Sequence, residues 1–379
     1  MVESMIQVPV QLPGVPPISY PVRIGTGLWK SLPGRLVHLA RGRRIAVVAD
    51  SRVARLWGRD LLKRLGKISA GAVLVEFPAG ERRKNRRTKE KIEDSLLVQG
   101  FGRDSLLVAL GGGVAGDMTG FVAATLHRGV PYIQVPTTLL AMVDSSVGGK
   151  TAVDTPAGKN LIGAFWQPLC VVADPTLLST LPRRELRAGL AEVAKHGVIA
   201  DERLFAFVER HWEGILGGEP RAIVRCVSGS CRIKAGVVSR DEREGGYRQI
   251  LNFGHTAAHG LELLSGYRLL HGEALWAGMA VEARLAEGLG LLPAAQAGRI
   301  CALCERVFPV RRVLSGVDAA ALLGAMRSDK KARGGKIRYA LPTRLGRMGS
   351  GAGEWSYAAT GADFRRALAR ALKRPLQQS

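Results

Sequence analysis

The sequence predicts an α/β N-terminal domain, in which helices cover a Rossmann-like parallel sheet, followed by an all-α C-terminal domain. Two observations support this fold class. Short β-branched runs alternate with helical stretches up to about residue 175, as in a parallel sheet with crossover helices. Beyond that point the β-branched runs stop and helical periodicity continues. We therefore expect one domain over residues 1–175 and a second over residues 176–379.

Four apolar runs in the first half are predicted to be buried strands, and two stretches are predicted to be helices between them. The strands are RRIAVVAD (43–50), GAVLVEF (71–77), DSLLVAL (104–110) and YIQVP (132–136), and the helices are RTKEKIEDSLLVQGF (87–101) and the stretch after Gly116.

Six segments of the second half have apolar residues at helical spacing and are predicted to be helices. They are RRELRAGLAEVAKHGVIA (183–200), LFAFVERHWEGIL (204–216), PRAIVRCVSGSCRIKAGVVSRDERE (220–244), TAAHGLELLSG (256–266), HGEALWAGMAVEARLAEGLG (271–290) and DAAALLGAMRSDKK (318–331).

The composition is that of a soluble globular protein: 46% hydrophobic, 6% aromatic and 23% charged residues. The N-terminus has no basic segment followed by an apolar one, and no apolar stretch approaches the roughly 20 residues of a membrane span. Five scattered cysteines indicate a reducing compartment. We therefore expect a cytoplasmic protein without a membrane segment. Cys301 and Cys304 have metal-ligand spacing, but in an apolar run without a second pair they are interpreted as buried helix cysteines.

The net charge of +23 raises the question of nucleic-acid binding. A nucleic-acid interface needs a basic stripe with aromatic or groove-entering elements. Here the basic residues are spread along the chain, aromatic residues are few, and no zinc-finger, RNP or KH signature is present. We interpret the charge as a general arginine bias together with a small anionic substrate.

The stretch LLVALGGGVAGDMTG places Gly111, Gly113 and Gly116 in a G-x-G-x-x-G pattern between a strand and a helix. Such glycines permit a tight turn, and the helix N-terminus that follows can hold a pyrophosphate. A tight turn without a ligand is the alternative. The acidic residue of a standard dinucleotide fold is not at its usual spacing, so a bound NAD would adopt a different mode.

The stretch DSSVGGKTAVDTPAGKN (144–160) ends a Walker A pattern with Gly149, Lys150 and Thr151, but Asp144 occupies the position of the first glycine. A carboxylate there would repel a triphosphate. The lysines, asparagine and small residues still suit another anionic ligand.

Three histidines and a glutamate in the second half could form a metal site. His255 and His259 lie four residues apart on one helical face, and His271 begins another helix. Upstream, Glu192 and Lys195 share a helical face. Two histidines and a carboxylate leave an open position on zinc for substrate. Each histidine alone could instead be an ordinary core residue, and Thr256 after the first histidine argues against a metalloprotease.

Further donors lead into this region. Lys234, Arg248 and Asn252 could grip a carboxylate and hydroxyl groups, with Glu244 among them. A charged helix end followed by a loop is the alternative interpretation. Arg128 is interpreted as one more cation beside the glycine-rich turn.

These motifs together resemble the 3-dehydroquinate synthase family over about residues 20–345. The similarity is carried by LGGGVAGDMTG, DSSVGGKTAVDTPAGKN, GLAEVAKHG, LNFGHTAAHGLE, HGEALWAGM and DKK (329–331). The resemblance implies conversion of 3-deoxy-D-arabino-heptulosonate 7-phosphate to 3-dehydroquinate and phosphate in the shikimate pathway. It also implies NAD, a divalent metal (Zn2+ or Co2+) and a homodimer.

The resemblance further implies roles for individual residues. The metal ligands would be Glu192, His255 and His271, and NAD would contact Asp50, Glu81, Lys84, Gly112, Gly113, Asp117, Thr137, Thr138, Lys159 and Thr180. The phosphate would be faced by Lys150, Asn160 and Arg128, and the rest of the substrate would be positioned by Asp144, Lys195, Lys234, Arg248 and Asn252. Protons would be handled by Glu244 and His259. One further lysine, Lys330 or Lys331, would reach the substrate. Arg52 stands where the family often has asparagine.

Two related activities remain as alternatives. One is another NAD- and metal-dependent sugar-phosphate cyclase, although the DSSVGGK and GKN segments favour the dehydroquinate type. The other is a metal-dependent alcohol dehydrogenase, which would need no phosphate pocket.

Overall fold

The computed structural model describes residues 19–69, 71–327, 337–351 and 354–373. The strands of the first half are β1 (Val22–Ile24), β2 (Arg44–Asp50), β3 (Val73–Phe77), β4 (Ser105–Gly111), β5 (Tyr132–Pro136), β6 (Lys150–Thr155), β7 (Gly158–Phe165) and β8 (Val171–Ala173). The helices of this half are α1 (Leu28–Ala40), α2 (Ser51–Val53), α3 (Arg59–Leu65), α4 (Arg86–Val98) and α5 (Gly113–Thr125).

Six of these strands form one parallel sheet in the order β1-β8-β5-β4-β2-β3. Its central strands are buried on both faces, which explains their continuous apolar sequences. In β2, for example, Val47 packs into one hydrophobic cluster and the neighbouring Val48 into another. The four predicted strands are confirmed, within a residue or two at each end.

The strand order reverses beside β2, because β3 lies on one side of it and β4 on the other. In open parallel sheets, ligands bind in the crevice at the carboxyl ends of the strands next to such a reversal. Asp50 ends β2 and Gly111 ends β4. The topology therefore places these two residues at the expected ligand crevice.

The stretch interpreted as a phosphate-binding loop is in fact mostly a hairpin. Strands β6 and β7 pair antiparallel from Lys150–Phe165 to Thr155–Gly158, with a two-residue turn at 156–157. The glycines, proline and lysines of this stretch concealed its period-2 pattern. The hairpin packs on α5, where the Cβ of an alanine at Gly120 would lie 2.4 Å from Thr151 Cγ2.

The second half is mostly helical, as predicted. Its helices are α6 (Arg183–Ala200), α7 (Glu202–Leu216), α8 (Pro220–Arg240), α9 (His255–Leu264), α10 (His271–Gly288), α11 (Ala294–Val307), α12 (Val310–Leu314), α13 (Ala319–Arg327) and α14 (Gly361–Leu372). Short strands also occur here: β9 (Arg338–Tyr339), β10 (Pro342–Arg344), β11 (Arg347–Met348) and β12 (Tyr357–Ala358).

The helix predictions for this half are confirmed, with α6 spanning the predicted residues and α8 ending four residues early. Cys301 and Cys304 lie on α11 as free thiols, Cys304 buried and Cys301 partly buried. Lys330 and Lys331 lie outside the described residues. Within the part of the chain that is described, no helix combines the length and apolarity that a membrane span requires.

Helix α10 forms the centre of the helical half, and two glycines allow other backbones to approach it closely. A Cβ at Gly272 would lie 2.0 Å from the carbonyl oxygen of Ala188 on α6. A Cβ at Gly278 would lie 2.1 Å from the carbonyl oxygen of Gly254, just before α9. These contacts involve backbone atoms, so larger residues could fit only if whole helices moved.

We expect Gly278→Ala to lower the free energy of unfolding by about 1–3 kcal/mol, because it forces α9 away from α10. Gly298→Ala on α11 is the matched control, since its added Cβ would have no neighbour within 4 Å apart from the adjacent backbone of its own helix. That change should leave stability equal or raise it by up to about 1 kcal/mol through helix propensity. Urea denaturation of both variants measures the difference, and equal stabilities would contradict the close-packing argument.

Candidate active site

The centre of the candidate site is the carboxylate of Glu192, in the middle of α6 with a side chain only 1% exposed. Lys195, one turn later on the same helix, places Nζ 2.5 Å from Glu192 Oε2. Burial would raise the pKa of Glu192, but the charge of Lys195 and the hydrogen bond with His271 together hold it below its usual value. Glu192 is therefore an anion in the interior.

Two histidines from other helices face the second oxygen of this carboxylate. His271 Nε2 lies 3.2 Å and His255 Nε2 lies 3.6 Å from Glu192 Oε1. The other ring nitrogens have partners as well: His271 Nδ1 lies 2.7 Å from Glu262 Oε1, and His255 Nδ1 lies 3.2 Å from the carbonyl oxygen of Phe253. Both rings are thus held with Nε2 towards Glu192.

The two flanking carboxylates favour a positive charge on His271. Burial opposes that charge, but hydrogen bonds with Glu192 and Glu262 raise the pKa of His271 to about 10. Burial would raise the pKa of Glu262, yet the hydrogen bond from His271 and the charge of Lys159 lower it to about 2. The arrangement is therefore built to hold a cationic group between carboxylates.

Glu192, His255 and His271 fit a divalent cation. One donor atom from each can be chosen so that all three lie within 4.8 Å of one another. Two imidazoles and one carboxylate are a common protein ligand set for catalytic zinc, and they leave a position open. Metal-binding histidines also usually bond a carboxylate or carbonyl through the other nitrogen, as both do here.

A buried acid fixes the start of α9, the helix that begins with His255. Glu282 on α10 is fully buried and accepts the backbone N–H groups of Gly254 at 2.7 Å and Ala257 at 3.0 Å. It therefore satisfies donors at the helix N-terminus, where a negative charge is also favoured by the helix dipole. This contact connects α10 to α9 and sets the position of His255.

A second charged group lies beside Glu192. Lys234 Nζ lies 2.7 Å from Asp144 Oδ1, and His196 Nε2 lies 3.8 Å from the same oxygen. Burial lowers the pKa of Lys234. Burial would raise the pKa of Asp144, but the charges of Lys234 and Lys195 lower it. The ion pair of Asp144 and Lys234 lies next to the proposed metal ligands.

A third group surrounds Glu244, whose backbone is in the left-handed region with φ of 62°. Lys150 pairs with Glu244, and Asn252 Nδ2 donates to it at 2.9 Å. Arg248 is buried and donates from Nη2 to the carbonyl oxygen of Gly148 at 3.3 Å. These contacts bring the hairpin lysine to the segment between α8 and α9.

The segment from residue 241 to 248 is shaped by a single acid. Asp241 accepts backbone N–H groups from Gly245 and Gly246 at 2.8 Å and from Arg248 at 2.9 Å. Burial has the opposite effect, but these bonds lower the pKa of Asp241. Asp241 thereby fixes the turn that carries Glu244 and Arg248.

The glycine-rich turn connects β4 to α5 at the crevice of the sheet. Gly111 has φ of 154°, and a Cβ there would lie 2.6 Å from Ala115 Cβ. A Cβ on Gly112 would lie 3.0 Å from Thr138 Cγ2, and one on Gly113 would lie 3.2 Å from Ser145 Oγ. Glycine is therefore needed at these positions, and the N-terminus of α5 that follows them is of the kind that binds a pyrophosphate, so the turn fits a dinucleotide.

Two lysines connect this crevice to the polar groups of the hairpin and helices. Lys84 Nζ lies 2.5 Å from both Asp117 Oδ2 and Asn160 Oδ1. Lys159 Nζ lies 3.1 Å from Glu262 and 3.9 Å from Glu81. Residues assigned to NAD and residues assigned to metal and substrate therefore meet in one continuous polar region.

Three other assigned residues lie around this region. His259 stands near the proposed ligands, with its ring centroid 5.6 Å from that of His255 and 6.2 Å from that of His271. Asp50 Oδ1 accepts the N–H groups of Arg52 and Val53 at the start of α2. Thr137 donates its N–H to the carbonyl oxygen of Gly111 at 2.8 Å, beside the turn.

The position of Arg128 requires a correction. The sequence interpretation placed it beside the glycine-rich turn, but it follows the C-terminal end of α5, whereas that turn precedes the helix. A 13-residue helix separates the two by roughly 20 Å.

Thr180, another residue assigned to NAD, ends a short helical segment before α6.

Sequence reasoning assigned no role to four acids and bases that the structure places in the site: Glu262, Glu282, His196 and Asp241. Glu262 could have been found, because it lies three residues after His259 and so shares its helical face. Glu282 is 27 residues from His255, and nothing in the local sequence joins them. His196 and Asp241 are ordinary in pattern and gain meaning only from their contacts.

We expect His196 to make stability depend on pH. It is fully buried, neither ring nitrogen has a hydrogen bond among the described residues, and burial lowers its pKa to about 3. Between pH 6.5 and 5 the unfolded chain therefore binds a proton that the folded chain does not, and stability falls by about 2 kcal/mol from this group.

Denaturation of His196→Gln across this pH range should show a smaller loss of stability than the parent chain. His38→Gln, at an exposed position on α1, is the control and should match the parent. Identical pH slopes for the parent chain and His196→Gln would show that the buried imidazole does not titrate as proposed.

The chain is similar to known proteins over most of its length. Family models described as 3-dehydroquinate synthase N-terminal and C-terminal match residues 74–188 and 189–332. A 3-dehydroquinate synthase from Acidithiobacillus ferrooxidans is 47% identical over 329 residues, which cover 86% of this chain and 90% of that protein.

Two solved structures have the same fold over nearly their whole length. A 2-deoxy-scyllo-inosose synthase complexed with carbaglucose-6-phosphate, NAD+ and Co2+ has a TM-score of 0.82 at 25% identity, covering 92% of this chain and 95% of that chain. A 2-epi-5-epi-valiolone synthase from Streptomyces hygroscopicus subsp. jinggangensis with NAD+ and Zn2+ bound has a TM-score of 0.82 at 27% identity, covering 96% and 99%. With both family models matched in order and a relative at 47% identity, the chain belongs to the 3-dehydroquinate synthase family.

Proposed function

We propose that this protein converts 3-deoxy-D-arabino-heptulosonate 7-phosphate to 3-dehydroquinate and phosphate, with NAD and a divalent cation. The observation that supports this most is the cluster of Glu192, His255 and His271. It lies beside two ion pairs, Asp144 with Lys234 and Glu262 with Lys159. Lys159 also connects it to the glycine-rich crevice. A dehydrogenase without a phosphate pocket would not need these cations.

Glu192, His255 and His271 are proposed to hold the cation, which is Zn2+ or Co2+ in the two related solved structures. NAD is proposed to lie over the glycine-rich turn, as the fold and the NAD+ of those structures support. When bound, the cation would polarise the reacting oxygen of the substrate, and NAD would accept a hydride and return it. The proposed contacts of NAD are Asp50, Glu81, Lys84, Gly112, Gly113, Asp117, Thr137, Thr138, Lys159 and Thr180.

The remaining chemistry is proton transfer, loss of phosphate and ring closure, and residues of this chain are proposed to carry it out. Lys150 and Asn160 would bind the phosphate with Arg128, and the charges of Lys150 and Arg128 would stabilise the dianion as it leaves. Because Glu244 pairs with Lys150, it would lie next to the leaving group if Lys150 binds the phosphate. Glu244 and His259 are proposed to move protons, and the departing phosphate can itself accept one.

The rest of the substrate is proposed to be held by Asp144, Lys195, Lys234, Arg248, Asn252 and Lys330. Asp144 and Lys234 offer an acceptor and a donor for hydroxyl groups, and Arg248 offers a planar fork for the substrate carboxylate. The final aldol closure joins two parts of one molecule. Holding the open chain in a reactive conformation is therefore the main contribution of these residues to that step.

Another sugar-phosphate cyclase activity has less support. The solved cyclases that make other products share 25% and 27% of their residues with this chain, whereas the 3-dehydroquinate synthase of Acidithiobacillus ferrooxidans shares 47%.

We also propose domains at 1–175 and 176–379, a homodimer and a cytoplasmic location. The net charge of +23 is proposed to be surface charge rather than a nucleic-acid interface, and a gel shift across salt concentrations tests this.

The first experiment measures phosphate release from the heptulosonate phosphate by purified protein with NAD. We expect catalytic release without net NADH, loss of activity on chelation, and recovery when metal is returned. Release of NADH in step with turnover would instead indicate a dehydrogenase. Failure of folded, metal-loaded, NAD-bound protein to release phosphate would show that the site accepts a different substrate, to be sought among heptose and hexose phosphates.

We expect Glu192→Gln and His271→Ala to weaken metal binding by more than about 100-fold, since changes to groups that only support such ligands already cost 10–100-fold. Turnover should fall in parallel. Metal content after gel filtration measures this, and circular dichroism verifies the fold. His211→Ala, an exposed histidine on α7, is the control that should retain full metal content. Normal metal content in either site variant would overturn the ligand proposal.

A further inference from the structure

A pocket of about 440 Å³ lies where the start of α6 meets the ends of α7 and α11. None of the residues that line it belongs to the candidate active site. Its volume falls within the range of small-molecule sites, roughly 300–1,000 Å³. The lining includes four arginines, Arg183, Arg184, Arg187 and Arg306, together with Trp212 and Leu216.

Nearby acids neutralise these arginines only in part. Glu273 pairs with two of them. It accepts hydrogen bonds from Arg184 Nε at 2.7 Å and Arg184 Nη2 at 2.6 Å, and its Oε1 lies 3.6 Å from Arg187 Nη2. Arg306 lies 3.7 Å from Glu209, an acid that already pairs with Arg299 at 2.8 Å.

Two guanidinium groups have unused hydrogen-bonding capacity. Among the described residues, Arg183 has no acidic partner within 4 Å. Arg187 Nε is buried and has no hydrogen-bond acceptor in the same part of the chain. Glu185 acts electrostatically on Arg184, so the acids near the pocket are Glu185, Glu209 and Glu273. A buried donor without an acceptor costs free energy, which a bound anion would recover.

We infer that this pocket binds a small organic anion that carries a phosphate or carboxylate group on a flat or apolar body. Guanidinium forks match the planar or bidentate oxygens of such groups, and Trp212 and Leu216 provide an apolar wall for the remainder. The pocket is separate from the proposed catalytic site, because it shares no side chain with it, although its effect on metal binding rests on the proposed function.

The pocket is connected to the proposed metal ligands through Glu273. This acid accepts the fork of Arg184 and the backbone N–H of Leu270 at 3.0 Å, immediately before His271 begins α10. Arg184 is 52% exposed and so is free to turn towards a ligand, whereas Glu273 is 4% exposed and would stay behind. An anion that engages Arg184 therefore loosens the start of α10 and weakens metal binding at His271.

The binding test uses phenyl phosphate as the probe, titrated into the full-length protein by calorimetry and by tryptophan fluorescence. We expect saturable binding that Arg183→Ala/Arg306→Ala weakens about tenfold or more, since each lost charge-assisted hydrogen bond costs about that much. Neither arginine contacts Glu273, so the double variant should fold normally. Trp212→Phe should remove the fluorescence change while calorimetric binding remains.

Controls separate this pocket from the active site and from general charge. Lys150→Ala should retain the pocket binding, because Lys150 belongs to the proposed phosphate site. Arg35→Ala/Arg365→Ala removes two exposed arginines from α1 and α14 and should bind as the parent does. Absence of saturable binding, or equal binding by the Arg183→Ala/Arg306→Ala variant, would overturn the inference.

The coupling is tested by measuring Zn2+ affinity in the Lys150→Ala background with and without saturating phenyl phosphate. We expect affinity to fall about fivefold or more, and phenyl phosphate affinity to fall by the same factor when Zn2+ is bound, because coupling is reciprocal. Adding Arg183→Ala and Arg306→Ala should abolish the effect. An unchanged Zn2+ affinity with the probe bound would exclude the coupling and leave a simple binding pocket.

Discussion

Glu192 is almost completely buried, and three side chains compete for its two oxygens: Lys195 from its own helix, His255 from α9 and His271 from α10. An ionised carboxylate in the interior costs several kcal/mol unless partners with good geometry surround it. The three helices must therefore meet in one register. The backbone contacts of Gly272 and Gly278 allow this, since any side chain there would move α10 away from α6 or α9.

Three other acids of the site hold backbone or ring groups in position. Glu282 fixes the start of α9, Asp241 fixes the turn before it, and Glu262 orients the ring of His271. The chain has 55 basic but only 32 acidic residues, so a buried acid can have several basic neighbours. The same logic explains Glu273, which orders the start of α10 and holds Arg184 at the edge of a second, cationic pocket.

Much of this could be predicted from the sequence, and the exceptions have physical reasons. Central strands and long amphipathic helices were predicted well, because burial on both faces or on one face leaves a clear period. The β6–β7 hairpin was missed because glycine, proline and lysine obscured its alternation. Arg128 was misplaced because closeness along the chain to a glycine motif does not survive an intervening helix. Glu282 and His196 could not be assigned, because their importance arises from contacts across α9, α10 and the segment containing Asp144.

The sheet has a consequence for how the protein is made. Among the described strands β1 pairs only with β8, so Val22 must await Val171, about 150 residues later. At the usual 5–20 residues per second, the ribosome needs roughly 7–30 seconds to synthesise that interval. Over roughly the last 35 residues of this interval the outer edge of β5 is also uncovered, because β8 is its partner on that side. Exposed strand edges attract other chains. The order in which these strands are made therefore leaves the unfinished sheet open to association until β8 is added.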